Sequence, residues 1–228
     1  MNTRFELGRI AGVPIYLDLF ALLVLFVFSQ HYFTSGDSQI MSAGLLIIAG
    51  ILGSVLLHEL AHAAAAYPFK TGVSRIELTA LGGVIQFAKS LPRAMLPRVI
   101  IYLAGPAANL ALWYVCGKLG VLAYGAGKPA AGFVFLQLAG INHFLMLFNL
   151  LPAYPLDGGH ALDAILGKLV SPLWDQRIVG ALGIVVAVLL SILALQSLPG
   201  SIFLLLIAYF LAELNWTMLQ NAGGFGRR

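Results

Sequence analysis

Charge is what this sequence has least of: Asp, Glu, Lys and Arg make up 10% of its 228 residues, against roughly a quarter in soluble globular domains. A water-facing surface cannot be assembled from so little. With 60% hydrophobic residues and a mean hydropathy of +0.93, the chain reads as one whose solvent is the bilayer. Cysteine is nearly absent too. Cys116 stands alone in an apolar run, which excludes an intrachain disulfide and a cysteine-based metal site and leaves the compartment open. No charged block or low-complexity stretch marks a linker, so a single domain over residues 1–228 is expected. The apolar run after Arg4 and Arg9 lacks a small-residue cleavage pattern behind it, so a removable leader is not expected. Nor is a nucleic-acid partner: the formal charge of +4 matters here through where Lys and Arg fall rather than through their sum.

What the sequence does have is long apolar runs. A helix needs about 20 such residues to cross the hydrocarbon core, and six stretches qualify: roughly Ile15 to Phe33, Ile40 to Tyr67, Val99 to Tyr124, Ala130 to Leu151, Ile178 to Leu195 and Ile202 to Leu219. Gln196, Pro199 and Gly200 supply a tight connection between the last two. Six spans put both termini on one side. Arg4, Arg9, Lys70, Arg75, Lys89, Arg93, Arg98, Lys168, Arg177, Arg227 and Arg228 fall on that side, and only Lys118 and Lys128 on the other. This positive-inside bias predicts cytoplasmic termini. The expected fold class is an all-α polytopic membrane protein. One small β-hairpin or sheet over Thr71 to Lys89 is added at the cytoplasmic face, because Val73, Arg75 and Glu77 followed by Gly82-Gly83-Val84-Ile85-Gln86-Phe87 read as short strands broken by a glycine pair.

Within the second span lies His58-Glu59-Leu60-Ala61-His62. Histidines four residues apart on a helix share a face one turn apart, so both imidazoles can reach one cation, while the glutamate stands on the adjoining face. That is the arrangement of a zinc site with a general base. Random order would produce the pattern on the order of 0.002 times in such a composition, and polar groups this deep in a span need a reason to be there. A catalytic zinc takes a third protein ligand and leaves one position open. Asp157 is the candidate, held at a turn in Asn149-Leu150-Leu151-Pro152-Ala153-Tyr154-Pro155-Leu156-Asp157-Gly158-Gly159-His160, where the prolines preclude regular helix. His160 competes for the same role. Asp163 and Asp175 read as solvated loop charges, His31 as interfacial and His143 as packed. Glu213, inside the last span, either faces a wet cavity or snorkels to the surface, and the second is preferred.

Four features in order, His58 to His62, Gly82-Gly83, Ala104-Gly105-Pro106-Ala107-Ala108-Asn109 and the Asn149 to Gly159 segment, together resemble the site-2 protease family of intramembrane zinc metalloproteases (peptidase M50). The resemblance covers about Gly8 to Leu162 and fits a compact form without PDZ or CBS domains. It implies one Zn2+ per chain on His58, His62 and Asp157, with Glu59 activating water. It adds Asn149 near the substrate or the oxyanion, where the alternative is helix-end hydrogen bonding. The segment Gly82, Gly83, Val84, Ile85, Gln86, Phe87 is either a strand that takes up substrate backbone or a plain turn, and Asn109 is read as structural. The implied function is an endopeptidase that cuts transmembrane segments near the cytoplasmic side. The implied location is the cell membrane of a prokaryote, with lipid and a substrate transmembrane helix as partners; an oligomer is possible but not readable. The rival readings are a metal-binding membrane transporter and an inactive protease-like scaffold. The presence of Glu59 and the absence of a paired repeat of the ligand helices weigh against both.

Overall fold

The computed structural model describes residues 4–34, 36–80, 82–196 and 202–224. Among them, in chain order, are β1 (Arg4–Ile10), β2 (Val13–Asp18), α1 (Leu19–Phe33), α2 (Ser38–Ala66), a 3-10 turn (Tyr67–Phe69), β3 (Val73–Thr79), β4 (Gly82–Phe87), α3 (Met95–Gly125), α4 (Pro129–Asn149), α5 (Asp157–Leu169), α6 (Pro172–Gln196) and α7 (Ile202–Gly224). Among the described residues, five helices are long and apolar enough to cross a membrane: Ser38–Phe69, Met95–Gly125, Pro129–Asn149, Pro172–Gln196 and Ile202–Ala222. This is an integral membrane protein.

The predicted first span is divided. Val13, Ile15 and Leu17 turn one face of β2 inward, and Asp18 then caps α1 by accepting from the Phe20 N–H at 2.9 Å. What is left is a 15-residue helix, about 22 Å long at about 1.5 Å per residue, short of a hydrocarbon core of about 30 Å. Two adjacent apolar elements of different type had merged into one hydropathic run, and Asp18 is the break between them. The expected hairpin is also only half of the sheet. The strand order is β1-β2-β3-β4, with β1–β2 and β3–β4 antiparallel and β2–β3 parallel. The parallel pair is joined through α1 and α2, the crossover that a parallel connection requires. Of the connection expected between the last two helices, Pro199 and Gly200 lie outside the described residues, as do Arg227 and Arg228.

The chain forms two compact units. In the first, residues 1–91 and 104–146, the sheet packs on α2: Leu17, Ala21, Ile76 and Leu78 are buried against Leu52, Val55, Leu56 and Leu60. Glu77 is buried on β3 and is held by Arg75 at 2.6 Å and Arg4 at 3.0 Å, which satisfies a carboxylate that burial would otherwise penalise. A second cluster joins Ala43 and Ile47 of α2 to Val134 of α4. A Cβ on Gly44 would run into Tyr32 and one on Gly50 into Leu138, so small residues permit the close helix approach that membrane packing uses.

In the second unit, residues 92–103 and 147–228, Ala153, Leu156, Val186, Ala187 and Leu211 form the core. Asp163 and Asp175 are not solvated loop charges. Asp163 lies on α5 and pairs with Arg98 at 2.6 Å, and Asp175 is buried in the first turn of α6. Both predicted readings failed for one reason: the stretch taken as loop is helix α5 and the start of α6, which fold these carboxylates inward.

Candidate metal centre

In the first unit, the apolar, alanine-rich turn of α2 carries His58, Glu59 and His62, which are 6%, 4% and 3% exposed. The two Nε2 atoms approach to 3.1 Å. Nitrogens each about 2.0–2.1 Å from one tetrahedral cation stand roughly 3.3 Å apart, so the pair is already spaced for a shared ion. His58 turns its other nitrogen away, and Nδ1 meets Asn109 Oδ1 at 2.5 Å. Room in front of the imidazoles comes from α3. A Cβ on Gly105 would collide with the ring nitrogens of both His58 and His62. A space that a single methyl would fill, faced by two convergent imidazole nitrogens, fits a metal ion.

Glu59 is buried against the sheet: a Cβ on Gly83 of β4 would overlap its carboxylate. The strand singled out from the glycine pair is therefore the one that touches the predicted base. Gly82 begins that strand at φ +124, a backbone conformation open to glycine, and its carbonyl accepts from the Thr79 hydroxyl at 2.9 Å. β4 ends the sheet, so its outer edge faces no further strand among the described residues, and Val84 is exposed on it.

In the second unit, Asp157 opens α5, with Leu156 as the extended N-cap residue. A carboxylate in the first helical turn is favoured by the helix dipole. The glycines after it serve close packing. Both are helical, and a Cβ on Gly158 or Gly159 would strike the backbone of Leu150 or Ala153, so they let the first turn of α5 lie directly on the preceding loop. That loop is gripped from α7. Asn215, fully buried, donates from Nδ2 to the Tyr154 carbonyl at 2.8 Å and accepts at Oδ1 from the Tyr154 N–H at 3.2 Å; Gly183 of α6 leaves space for its carboxamide. Asn215→Ala would leave both Tyr154 backbone groups without these partners, at about 1–3 kcal/mol. The thermal midpoint of the purified protein in detergent is expected to fall accordingly.

Asn149 is the last residue of α4. His160 lies between two aromatic rings, stacked on Tyr102 at 4.8 Å and edge-on to Tyr154 at 4.5 Å. Burial pushes the Tyr154 phenol up, and the neighbouring Asp163 carboxylate adds to the shift, so Tyr154 is a neutral hydrogen-bonding group. His143 stacks on Trp113, His31 packs beside Tyr32 and is exposed, and Glu213 is exposed. Sequence reasoning passed over Asn215, Asn142 and Ser54. Their signal was available, since each is a polar residue in an apolar helix and each is buried.

The model of peptidase family M50 matches residues 46–131 and 121–195. The chain belongs to peptidase family M50. A zinc metalloprotease of Methanocaldococcus jannaschii is 31% identical over 211 residues, with 92% of this chain and 59% of its own length covered. A Synechocystis protein bearing a zinc-metalloprotease name is 30% identical over 245 residues, with 100% of this chain and 61% of that protein covered. Thus the chain spans about six tenths of the length of these curated relatives. Among solved structures, the site-2 protease from Methanocaldococcus jannaschii superposes with a TM-score of 0.66 at 25% identity, covering 95% of each chain.

Proposed function

We propose that this M50 chain is a zinc-dependent intramembrane endopeptidase that cuts transmembrane segments of other membrane proteins near the cytoplasmic side. The observation that carries it is the buried His58-Glu59-x-x-His62 turn, its two Nε2 atoms converging at 3.1 Å inside a helix of membrane-spanning length. His58, His62 and Asp157 hold the zinc. His58 and His62 are supported as ligands by their converging ring nitrogens, and Asp157 by a carboxylate in the first turn of α5. When bound, zinc supplies Lewis acidity and makes water a nucleophile near neutral pH.

Glu59 takes the proton of the attacking water and passes it to the leaving amide nitrogen. Its place beside Gly83 supports a substrate backbone laid along the open edge of β4, where residues Gly82 to Phe87 offer N–H and C=O groups. Asn149 donates its side-chain amide to the developing oxyanion. A helical substrate hides its peptide bonds in internal hydrogen bonds, so addition to a strand edge also holds it unwound.

The segment after α2 carries Lys70, Arg75, Lys89, Arg93 and Arg98, and this excess of Lys and Arg assigns the C-terminal end of α2 to the cytoplasmic side. His58 then lies about 30 Å below Ser38, at about 1.5 Å per residue, toward the inner leaflet. The test is incubation of the purified protein with transmembrane peptides, with and without a zinc chelator, and mass spectrometry of the products. Cleavage in the cytoplasmic half of the span is expected, abolished by the chelator and faster when Gly, Pro or Asn is placed near the scissile bond. Cleavage near the outer leaflet would overturn the orientation, and chelator-resistant cleavage the zinc chemistry.

A further inference from the structure

A chain of buried side chains runs from His58 away from the metal centre. His58 Nδ1 meets Asn109 Oδ1 at 2.5 Å, Asn109 Nδ2 donates to Asn142 Oδ1 at 2.8 Å, and Asn142 Nδ2 donates to Ser54 Oγ at 2.9 Å. The same Asn142 nitrogen also donates to the Leu138 carbonyl at 2.9 Å, and Ser54 donates to the Gly50 carbonyl at 2.8 Å. Asn109 and Asn142 are fully buried and Ser54 is 5% exposed, so water does not compete for these bonds.

We propose that Asn109, Asn142 and Ser54 form a directional relay that locks His58 as the Nδ1–H tautomer and thereby presents its Nε2 lone pair to the metal. This rests on the reading of His58 as a ligand. The direction follows from the far end. Backbone carbonyls of Leu138 and Gly50 can only accept. The Asn142 amide nitrogen must therefore face Leu138 and Ser54, which turns its oxygen toward Asn109. Only the Asn109 nitrogen can donate to that oxygen, so the Asn109 oxygen is left facing His58. An oxygen there demands a donor, and the neutral imidazole can supply one only by carrying its proton on Nδ1. Two backbone carbonyls on two helices thus set the protonation of a ligand three side chains away, before any ion arrives.

A ligand histidine whose second nitrogen donates to an oriented acceptor is fixed in tautomer and ring angle and is more basic toward the metal. Loss of such a partner ordinarily costs about 10–100-fold in metal affinity. Asn109, Asn142 and Ser54 are positioning residues in this sense, and Asn142 and Ser54 act without touching the imidazole.

The test uses the full chain in detergent, 15N-labelled at histidine. Two quantities are measured, the His58 ring nitrogen shifts in metal-free protein and zinc affinity by competition with a chromophoric chelator. Wild type is expected to show His58 protonated on Nδ1. Asn142→Ala frees the Asn109 amide to turn over, so a mixed tautomer and a loss of about 10-fold in zinc affinity are expected. Asn109→Ala is expected to lose about 10–100-fold. Asn109→Asp keeps an acceptor facing His58 and should restore both the tautomer and most of the affinity, whereas a purely packing role would make a buried charge at least as damaging as alanine. Ser54→Ala, the mildest change, removes one of the two acceptors that orient Asn142 and leaves the Leu138 carbonyl, so a smaller loss of zinc affinity than in Asn142→Ala is expected, with Nδ1–H still the major tautomer. Protonation of His58 on Nε2 in wild type, a Ser54→Ala variant more damaged than Asn142→Ala, or equal affinities for Asn109→Ala and wild type, would overturn the relay. A wild-type chain that shows the Nδ1–H signature yet binds no zinc would instead overturn the ligand reading and leave the lock itself upheld.

Discussion

Glu59→Gln is expected to cut peptide hydrolysis by about 10²- to 10⁴-fold, the usual contribution of a positioned proton carrier, while the metal content of the chain stays at the wild-type level. Glutamine has the same shape, and the pocket is tight: Glu59 is 4% exposed and lies against Gly83. The substitution therefore removes the basic oxygen without opening a cavity, and it leaves His58 and His62 on their own face of α2. Activity on a transmembrane peptide and zinc per chain after dialysis are measured on the same preparation. A variant that keeps its zinc and turns over like wild type would sink the assignment of Glu59 as the base. One that loses both would mean the carboxylate holds the site together rather than moving a proton.

How far the molecule could be read from its sequence depended on whether the physics was local. The turn from His58 to His62 was legible because helical spacing alone puts two imidazoles on one face. Five of the six runs were legible because their length is set by the bilayer and not by neighbours. The first run was misread because hydropathy does not distinguish a half-buried strand from a helix, and β2 pairs with β3, residues 73–79, far away in the chain. The β1–β2 hairpin has all of β1 exposed and carries little apolar alternation, so no periodic signal announced it. Long-range polar contacts were the least visible. Asn142 donates across 88 positions to Ser54, and Asn215 reaches back 61 positions to Tyr154. A buried amide in an apolar helix announces that a partner exists without naming it. The same limit hid the pairing of Asp163, whose partner Arg98 is 65 positions away.

Asp157→Ala is expected to strip the metal, and His160→Ala to leave it in place. The two residues stand three positions apart on α5, so position in the chain cannot choose between them. Their surroundings can. Asp157 is in the first turn, where the helix dipole stabilises its ionised form and so its capacity as a ligand. His160 is committed to Tyr102 and Tyr154, with ring centroids at 4.8 and 4.5 Å, and turning it toward a cation would give up contacts worth about 0.5–1.5 kcal/mol each. Removal of a direct ligand should cost more than the 10–100-fold typical of the outer partners, so Asp157→Ala should retain little zinc after dialysis and no measurable hydrolysis. His160→Ala should bind a full equivalent and lose only some thermal stability. Zinc per chain by elemental analysis decides the matter: a depleted His160 variant beside a loaded Asp157 variant would move the third ligand one turn along the helix and require the Tyr102 and Tyr154 rings to release the imidazole.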